Sequence, residues 1–185
     1  MKKIICAVLG LCFLCGCGTK ETGPTVREYY SALRSVAARA DITAYFAEES
    51  RSYTVACSWQ RGEGATTTVL APASLAGLSA TVADDTLLIR YDGILLPAGK
   101  LSETGPANAI PWLLRVLEEG YLVEESRERS DGTELRRLTL DITAPDGTKL
   151  LCSVWLTEAL APVCGEFSRD GKVFLTVRIT EFQCE

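Results

Sequence analysis

Asp-Gly dipeptides constrain the fold of this chain more than any other feature of its sequence. Asp131-Gly132, Asp146-Gly147 and Asp170-Gly171 each separate two runs of strand-forming residues in the last third of the chain. Asp-Gly is favoured in two-residue β-hairpin turns, because both turn positions take a positive φ. The last third is therefore predicted to be an antiparallel meander that ends in a hairpin.

The first half of the chain also has the alternating pattern that is typical of strands. Two other segments have a helical pattern. Residues 53–59 alternate, so that Tyr53, Val55, Cys57 and Trp59 share one face. Apolar residues recur at helical spacing over residues 24–40 and again over residues 110–119, before Gly120. Residues 92–101 are predicted to be a connection without regular structure.

This order of elements predicts an α+β fold that is mainly antiparallel β. About ten short strands joined by local hairpins, with no β-helix-β crossover, belong to a single sheet. A sheet of that size should form a curled sheet or an incomplete β-barrel. The two helices must then cover one face or the mouth of the sheet.

The first residues of the chain predict its location. Lys2 and Lys3 precede an uncharged run that is shorter than the roughly 20 residues a membrane-spanning helix needs, so residues 1–16 are predicted to be a signal peptide. The run ends in Leu14-Cys15-Gly16-Cys17, which resembles the bacterial lipobox. That resemblance implies acylation of Cys17 and cleavage before it. Residues 17–23 would then be a lipidated N-terminus and tether, and residues 24–185 a single domain, anchored in the lipid bilayer on the extracytoplasmic face of a bacterial cell membrane.

Composition excludes several classes of function. The net charge is −5, so nucleic acid is a poor partner. The chain contains no His, which rules out Ser-His-Asp and Cys-His catalysis and His-based zinc sites. Asp84 and Asp85 form an adjacent pair, but they fall between two predicted strands and are interpreted as a turn. We therefore predict no enzyme activity, no cofactor and no metal site.

Four cysteines lie beyond Cys17, namely Cys57, Cys152, Cys164 and Cys184. No two of them have C-x-x-C spacing, so a zinc site has little support. Outside the cytoplasm an even number of cysteines permits two disulfides, with three possible connectivities. The alternative is that these cysteines are small buried hydrophobic residues in strands. The sequence leaves both open.

The order of a helix, a strand-rich half, a second helix and a meander is similar to the LolA/LolB family of lipoprotein-carrier folds. It also resembles lipoproteins of spore-forming Gram-positive bacteria, including the germination lipoproteins of clostridia. The segments that carry the likeness are residues 53–59, 69–78, 88–93 and 154–156. The resemblance implies an unclosed barrel whose concave apolar face is covered by helices and holds acyl chains. A carrier that shuttles its cargo must diffuse, whereas this chain would be tethered at Cys17. A tethered protein fits a fixed acceptor, a sensor or a partner protein better.

Two functions remain open. The first is a membrane-anchored, non-enzymatic lipoprotein that binds an apolar ligand, or a lipid or lipoprotein acyl chain, in the half-barrel. The second is an interaction module that partners an extracytoplasmic enzyme of the cell envelope or spore cortex, through an apolar patch near residues 75–78 or an unpaired edge strand. For the first function the candidate wall or lid residues are Val55, Trp59, Leu70, Ile89, Trp112 and Trp155. The same residues also fit a filled core, and a Trp-lined crevice would separate the two cases.

Overall fold

The computed structural model describes residues 25–47, 49–83, 86–100, 105–130, 132–144 and 147–185. The predicted signal peptide, Cys17 and the tether lie outside the described residues, as do Asp84 and Asp85. Within the described ranges no helix has the length and apolar character that crossing a membrane would require.

Two α-helices and eleven strands make up the described part of the chain. The helices are α1 (Val26–Ala32) and α2 (Ala109–Glu119), and a short 3-10 turn covers Ala73–Leu75. The strands are β1 (Ser35–Tyr45), β2 (Ser50–Gln60), β3 (Gly64–Ala71), β4 (Ser79–Ala83), β5 (Thr86–Tyr91), β6 (Ile94–Lys100), β7 (Tyr121–Ser130), β8 (Thr133–Thr143), β9 (Lys149–Leu156), β10 (Pro162–Arg169) and β11 (Lys172–Cys184).

All the strands belong to one antiparallel sheet with the order β6-β5-β4-β3-β2-β1-β11-β10-β9-β8-β7. Neighbours in the sheet are neighbours in the chain except at its centre, where β1 pairs with β11 and Ile42 lies opposite Val177. The edge strands β6 and β7 do not pair with each other, so the curled sheet stays open. The predicted fold class, a curled antiparallel sheet with two helices, is confirmed.

The first predicted helix is wrong beyond Ala32. The chain turns at residues 33–34 and continues as β1, in which Val36, Ala38, Ala40 and Ile42 are buried at every second position. β1 lies in the middle of the sheet and makes hydrogen bonds to both β2 and β11. This pairing on both sides outweighs the helical propensity of an alanine-rich segment.

The connection predicted over residues 92–101 is also wrong, because most of it is strand β6. Asp92 and Gly93 have φ values of 49° and 77°, which is the geometry of a two-residue turn between β5 and β6. The extra strand explains why the sheet has eleven strands and not about ten. Asp170 and Gly171 repeat this geometry with φ values of 52° and 74°, which confirms the predicted final hairpin.

The core lies on the concave face of the sheet, which is the face that both helices cover. Helix α2 contacts β1, β8 and β11 as well as α1, and seven of its eleven residues are buried. Gly165 of β10 permits this close packing, since a Cβ atom at that position would lie 2.7 Å from Cδ1 of Leu113. The helices therefore fill much of the half-barrel and leave only part of its interior open.

Candidate functional site

Helix α1 is fixed at both of its ends. At its start the Thr25 hydroxyl accepts a hydrogen bond from the backbone N–H of Glu28 at 3.2 Å, and the Thr25 N–H donates to the Glu28 carboxylate at 2.8 Å. These bonds form a capping box. The pKa of Glu28 is lowered, chiefly by the hydrogen bond from the Thr25 N–H to its carboxylate and next by one from the Thr25 hydroxyl at 2.9 Å. Farther along the helix, the buried Tyr30 hydroxyl donates to the carbonyl of Leu160 at 2.7 Å. Helix α1 is thereby attached to the β9–β10 loop.

Arg61 joins both helices to the end of β2. Its guanidinium donates to the carbonyls of Leu33 at 2.8 Å and Tyr30 at 3.0 Å, at the C-terminus of α1. A cation is favourable there, because the last carbonyls of a helix have no partner within the helix. The same guanidinium lies 3.0 Å from the Glu118 carboxylate of α2 and 5.2 Å from the ring centroid of Trp59. Arg61 therefore connects α2 to the end of β2.

A second arginine connects the helices in the opposite direction. Arg27 of α1 donates to the carbonyls of Glu119 at 3.2 Å and Gly120 at 3.0 Å, which end α2. Each helix C-terminus thus receives an arginine from another element of the fold. The position of α2 over the sheet is consequently determined by named polar contacts as well as by apolar packing.

Between α2 and the strands β2, β3 and β4 lies a groove of about 350 Å³, which we call the α2 groove. The sheet contributes a largely apolar floor, made of Trp59, Gly64, Ala65, Val82 and Ala83. The helix contributes the other wall, made of Pro111, Leu114, Arg115, Glu118 and Glu119. The volume is at the small end of the roughly 300–1,000 Å³ of small-molecule sites.

Both carboxylates on the helix wall of the groove are ion-paired. Glu118 pairs with Arg61 at 3.0 Å, and Glu119 pairs with Arg115 at 2.9 Å. These side chains are 28–54% exposed and lie along the solvent side of the groove, so they mark its open margin. The groove therefore combines an apolar floor with a polar margin of balanced charge.

The residues predicted from sequence as walls or lids do not come together in one place. Trp59 lines the α2 groove. Val55 and Trp112 are 0% exposed and belong to the packed core. Ile89 lies opposite the buried Ala80 and therefore on the concave face of β5, farther toward the sheet edge. Leu70 and Trp155 lie on the convex face, each next in sequence to a concave-face residue, Val69 and Val154.

Trp155 has polar partners on the convex face. Its indole N–H donates to the Glu128 carboxylate at 2.7 Å, and the Arg137 guanidinium stacks 5.2 Å from the centroid of its ring. Arg137 also pairs with Glu128 at 3.1 Å. The hydrogen bond from Trp155 is the main cause that lowers the pKa of Glu128. This cluster explains how a large aromatic residue is accommodated outside the core.

The α2 groove contains residues that the sequence did not single out, including Ala65, Val82 and Leu114. Ala65 and Val82 face each other across β3 and β4, and both are buried. Their alternation in a strand is a signal of an inward face, and Leu114 lies beside the predicted apolar stripe of α2. The sequence alone does not show that α2 lies close to these strands. That placement involves the contacts of Arg27 and Arg61, which join residues far apart in the chain.

All four described cysteines are free thiols. Cys57 and Cys152 are buried, and burial raises the pKa of the Cys57 thiol to about 11 and that of Cys152 higher still. The Cys184 thiol lies 3.2 Å from the Tyr29 hydroxyl, a contact that raises the pKa of Tyr29 to about 12. Cys57 and Cys152 thus pack as small buried hydrophobic residues, the second of the two interpretations left open by the sequence.

A second surface feature is an apolar rim at one end of the sheet. The strands are antiparallel, so the β1–β2, β3–β4, β5–β6 and β10–β11 turns and the start of β7 all lie at this end. Eleven large hydrophobic residues are exposed in the described part of the chain, and all lie at or near this end. The apolar rim consists of Tyr45, Phe46, Leu70, Tyr91, Ile94, Leu95, Tyr121, Leu122, Val123, Leu151 and Val173.

Among the comparisons with known proteins, the one with solved structures identifies the fold. The sequence matches no family model and no curated protein. The structure is similar to that of a LolA superfamily protein from Nitrosomonas europaea, with 13% identity, 86% of this chain and 92% of the other covered, and a TM-score of 0.51. The protein has a LolA-like fold.

Two further solved structures with this LolA-like fold have a TM-score of 0.50. One is a domain from Vibrio parahaemolyticus described as an outer membrane lipoprotein-sorting protein, with 13% identity, 86% of this chain and 91% of the other covered. The other is a DUF1329 family protein from Desulfovibrio piger, with 10% identity, 86% of this chain and 89% of the other covered. At these identities the likeness establishes the fold alone. The finer resemblance to germination lipoproteins stays a prediction.

Proposed function

We propose that the protein is an extracytoplasmic bacterial lipoprotein, held at a membrane by acylated Cys17, that binds one apolar chain in the α2 groove. The observation that carries this proposal is the apolar floor formed by Trp59, Ala65 and Val82 beneath α2. A structure of the same fold is described as belonging to a lipoprotein-sorting protein. That description supports an acyl chain as the class of ligand.

The dimensions and chemistry of the groove suit a single chain. At about 350 Å³ the groove is too small for several chains. Each buried CH₂ group contributes about 0.8 kcal/mol before the cost of ordering the ligand. The paired charges of Glu118 and Glu119 line the exposed margin, where the polar end of an amphipathic ligand would stay in water. Binding of this kind requires no chemical step.

Titration with an apolar fluorescent probe tests the groove. Ala65 lies on the groove floor and shares the concave face with its strand neighbours Trp59 and Val82, so Ala65→Leu should fill part of the volume and weaken probe binding. Ala56→Leu is the matched control, because it makes the same change on the neighbouring strand but on the convex face, where Ala56 lies opposite Thr68. We expect the control to bind like the unmodified protein. Absence of saturable binding, or equal weakening in both variants, would contradict the proposal.

Metabolic labelling with a fatty acid tests the anchor separately. The unmodified protein should incorporate the label, and Cys17→Ser should abolish it. If the unmodified protein incorporates no label, the lipid anchor is refuted, but the proposal that the α2 groove binds an apolar chain is not affected.

The interaction module predicted from sequence has one observation in its favour, namely the two unpaired edge strands β6 and β7. Against it, β7 carries charged residues from Glu124 to Arg129, which protect an edge from strand pairing. In the predicted patch at residues 75–78, Leu75 and Leu78 pack against the core. This alternative predicts a stoichiometric complex with a cell-envelope enzyme, which cross-linking in intact cells would detect.

A further inference from the structure

We propose that the chain bound in the α2 groove is the protein's own, namely one of the acyl chains attached to Cys17. This inference rests on the proposed function, which supplies both the acylation of Cys17 and an apolar groove that holds one chain. An occupant from the same molecule follows from where the folded domain begins, how far Cys17 lies before it, and which end of α2 carries the polar margin.

Helix α1 lies against the C-terminal end of α2, where the polar margin of the groove is. In the first turn of α1, Arg27 donates to the carbonyl of Glu119 at 3.2 Å, and the side chain of Glu119 lines the groove. Near the other end of α1, the Tyr30 carbonyl accepts from Arg61 at 3.0 Å, and Arg61 pairs with Glu118 of the groove wall at 3.0 Å. Both ends of α1 are thus connected to the margin of the groove through one arginine side chain.

The segment before α1 is long enough to bring Cys17 to the groove. Thr25, which caps α1, is eight residues after Cys17, and a segment of that length spans at most roughly 26–29 Å. The helix wall of the groove extends from Pro111 to Glu119, which is roughly 12 Å at 1.5 Å per residue. The reach of the segment is therefore about twice the length of the groove wall.

The polar margin of the groove suits the polar part of a lipidated cysteine. The lipobox resemblance implies a diacylglyceryl group on the cysteine thiol, in which polar ester groups lie next to two acyl chains. Glu118 and Glu119, with their partners Arg61 and Arg115, form the open margin at the end of α2 that α1 contacts. The ester groups would stay in water at this margin, and one acyl chain would extend over the apolar floor toward Pro111.

Covalent linkage favours this occupant over a free ligand of the same chemistry. A linked group binds at an effective concentration on the order of millimolar when its linker is short and can span the distance. A free fatty acid of equal affinity has to reach a comparable concentration to displace it. The linked chain also avoids the entropic cost of bringing two separate molecules together.

Occupancy by one of two acyl chains changes how the protein is held at the membrane. The groove of about 350 Å³ has room for one chain, so the second chain stays in the bilayer. A single acyl chain gives only marginal and reversible membrane binding, whereas two chains hold a protein stably. The α2 groove would therefore weaken the lipid anchor, and filling the groove by mutation should strengthen it.

A photoactivatable acyl chain tests the occupant directly. Bacterial cells that express the full-length protein are fed a fatty acid with a diazirine near its methyl end, and the purified protein is illuminated in phosphatidylcholine vesicles. We expect part of the label to cross-link the Cys17 peptide to peptides that contain Ala65, Val82 or Leu114, which line the groove. An equal amount of heavy-isotope protein with ordinary acyl chains is mixed in, and its groove peptides should stay unlinked.

The variants Ala65→Leu and Ala56→Leu supply a matched pair for this experiment. Ala65→Leu should lose the cross-links to the groove, and a larger fraction of this variant should float with the vesicles. Ala56→Leu, on the convex face, should behave like the unmodified protein in both measurements. Circular dichroism checks that both variants are folded, and if Ala65→Leu is not, the cross-links of the unmodified protein decide alone.

Failure of this inference is distinguishable from failure of the proposed function. Cross-links to lipid alone, in a protein whose Cys17→Ser form binds the free apolar probe, would overturn the inference and leave the groove and the anchor in place. Cross-links to the heavy-isotope protein would also overturn it, since the occupant would come from a second copy. A protein that incorporates no label, or a Cys17→Ser form without saturable probe binding, would refute the anchor or the groove respectively, and this inference with it.

Discussion

The substitution Trp112→Ala tests whether Trp112 is a core residue or a lid residue that contacts the ligand. The sequence suggested the lid role. Trp112 is 0% exposed and sits on the face of α2 that packs into the core. Truncating a buried Trp to Ala costs about 3–5 kcal/mol, from lost burial and the cavity left behind. Since small domains are stable by only about 5–15 kcal/mol, this change removes a large part of the free energy of unfolding.

Trp112→Phe is the matched control for this prediction. The indole N–H of Trp112 is buried and has no hydrogen-bond partner in the structure. An unsatisfied buried donor costs about 1–3 kcal/mol, and Phe removes that donor while it keeps most of the apolar ring. We therefore expect Trp112→Phe to lose much less stability than Trp112→Ala.

Urea unfolding, followed by circular dichroism, measures the free energy of unfolding of both variants. Probe titration at low urea concentration measures their affinity for the apolar probe. Because Trp112 does not line the α2 groove, folded Trp112→Ala protein should keep the probe affinity of the unmodified protein. The reasoning is refuted if Trp112→Ala costs less than about 1 kcal/mol. It is also refuted if the folded variant no longer binds the probe, since Trp112 would then contact the ligand.

Three further changes test individual contacts of the fold. Gly165→Ala should lower the free energy of unfolding by about 1–3 kcal/mol, measured in urea, because the new Cβ would lie 2.7 Å from Cδ1 of Leu113. Arg61→Met removes hydrogen bonds to two helix-terminal carbonyls and the ion pair to α2; it should destabilise the fold by about 1–3 kcal/mol and weaken probe binding, and unchanged values of both would contradict its proposed role. Trp155→Phe should raise the pKa of Glu128 toward its ordinary value, measured by carboxyl NMR. Because that pKa is depressed in the folded protein, its stabilising contribution is present above the unfolded-state pKa and declines as the pH falls through the folded-state pKa.

Local signals predicted much of the sheet. Asp170-Gly171 forms the two-residue turn expected of that dipeptide. Helix α2 ends before Gly120, as predicted, and its buried residues include the predicted apolar stripe. These features depend on the backbone preferences of a few adjacent residues, and a single sequence contains that information.

Features that depend on distant contacts could not be predicted. The segment that became β1 has alanines at positions that fit a helix and a strand equally, and its pairing with β11 lies more than 130 residues away. Trp155 belongs to a run of apolar residues, and its polar partners on the convex face, Glu128 and Arg137, come from other strands. The α2 groove lies between α2 and the strands β2 to β4, and the contact of Arg61 with Glu118 joins residues that are far apart in the chain, a relation that no local pattern encodes.

Paramagnetic NMR with a nitroxide-labelled fatty acid tests the central claim most directly, since it locates the bound chain on the protein. The account predicts the strongest loss of signal at the amides of Ala65, Val82 and Leu114, which surround the α2 groove. Reduction of the nitroxide should restore those signals. Signal loss confined to the apolar rim around Ile94 and Tyr121, or no selective loss at any amide, would contradict binding in the groove.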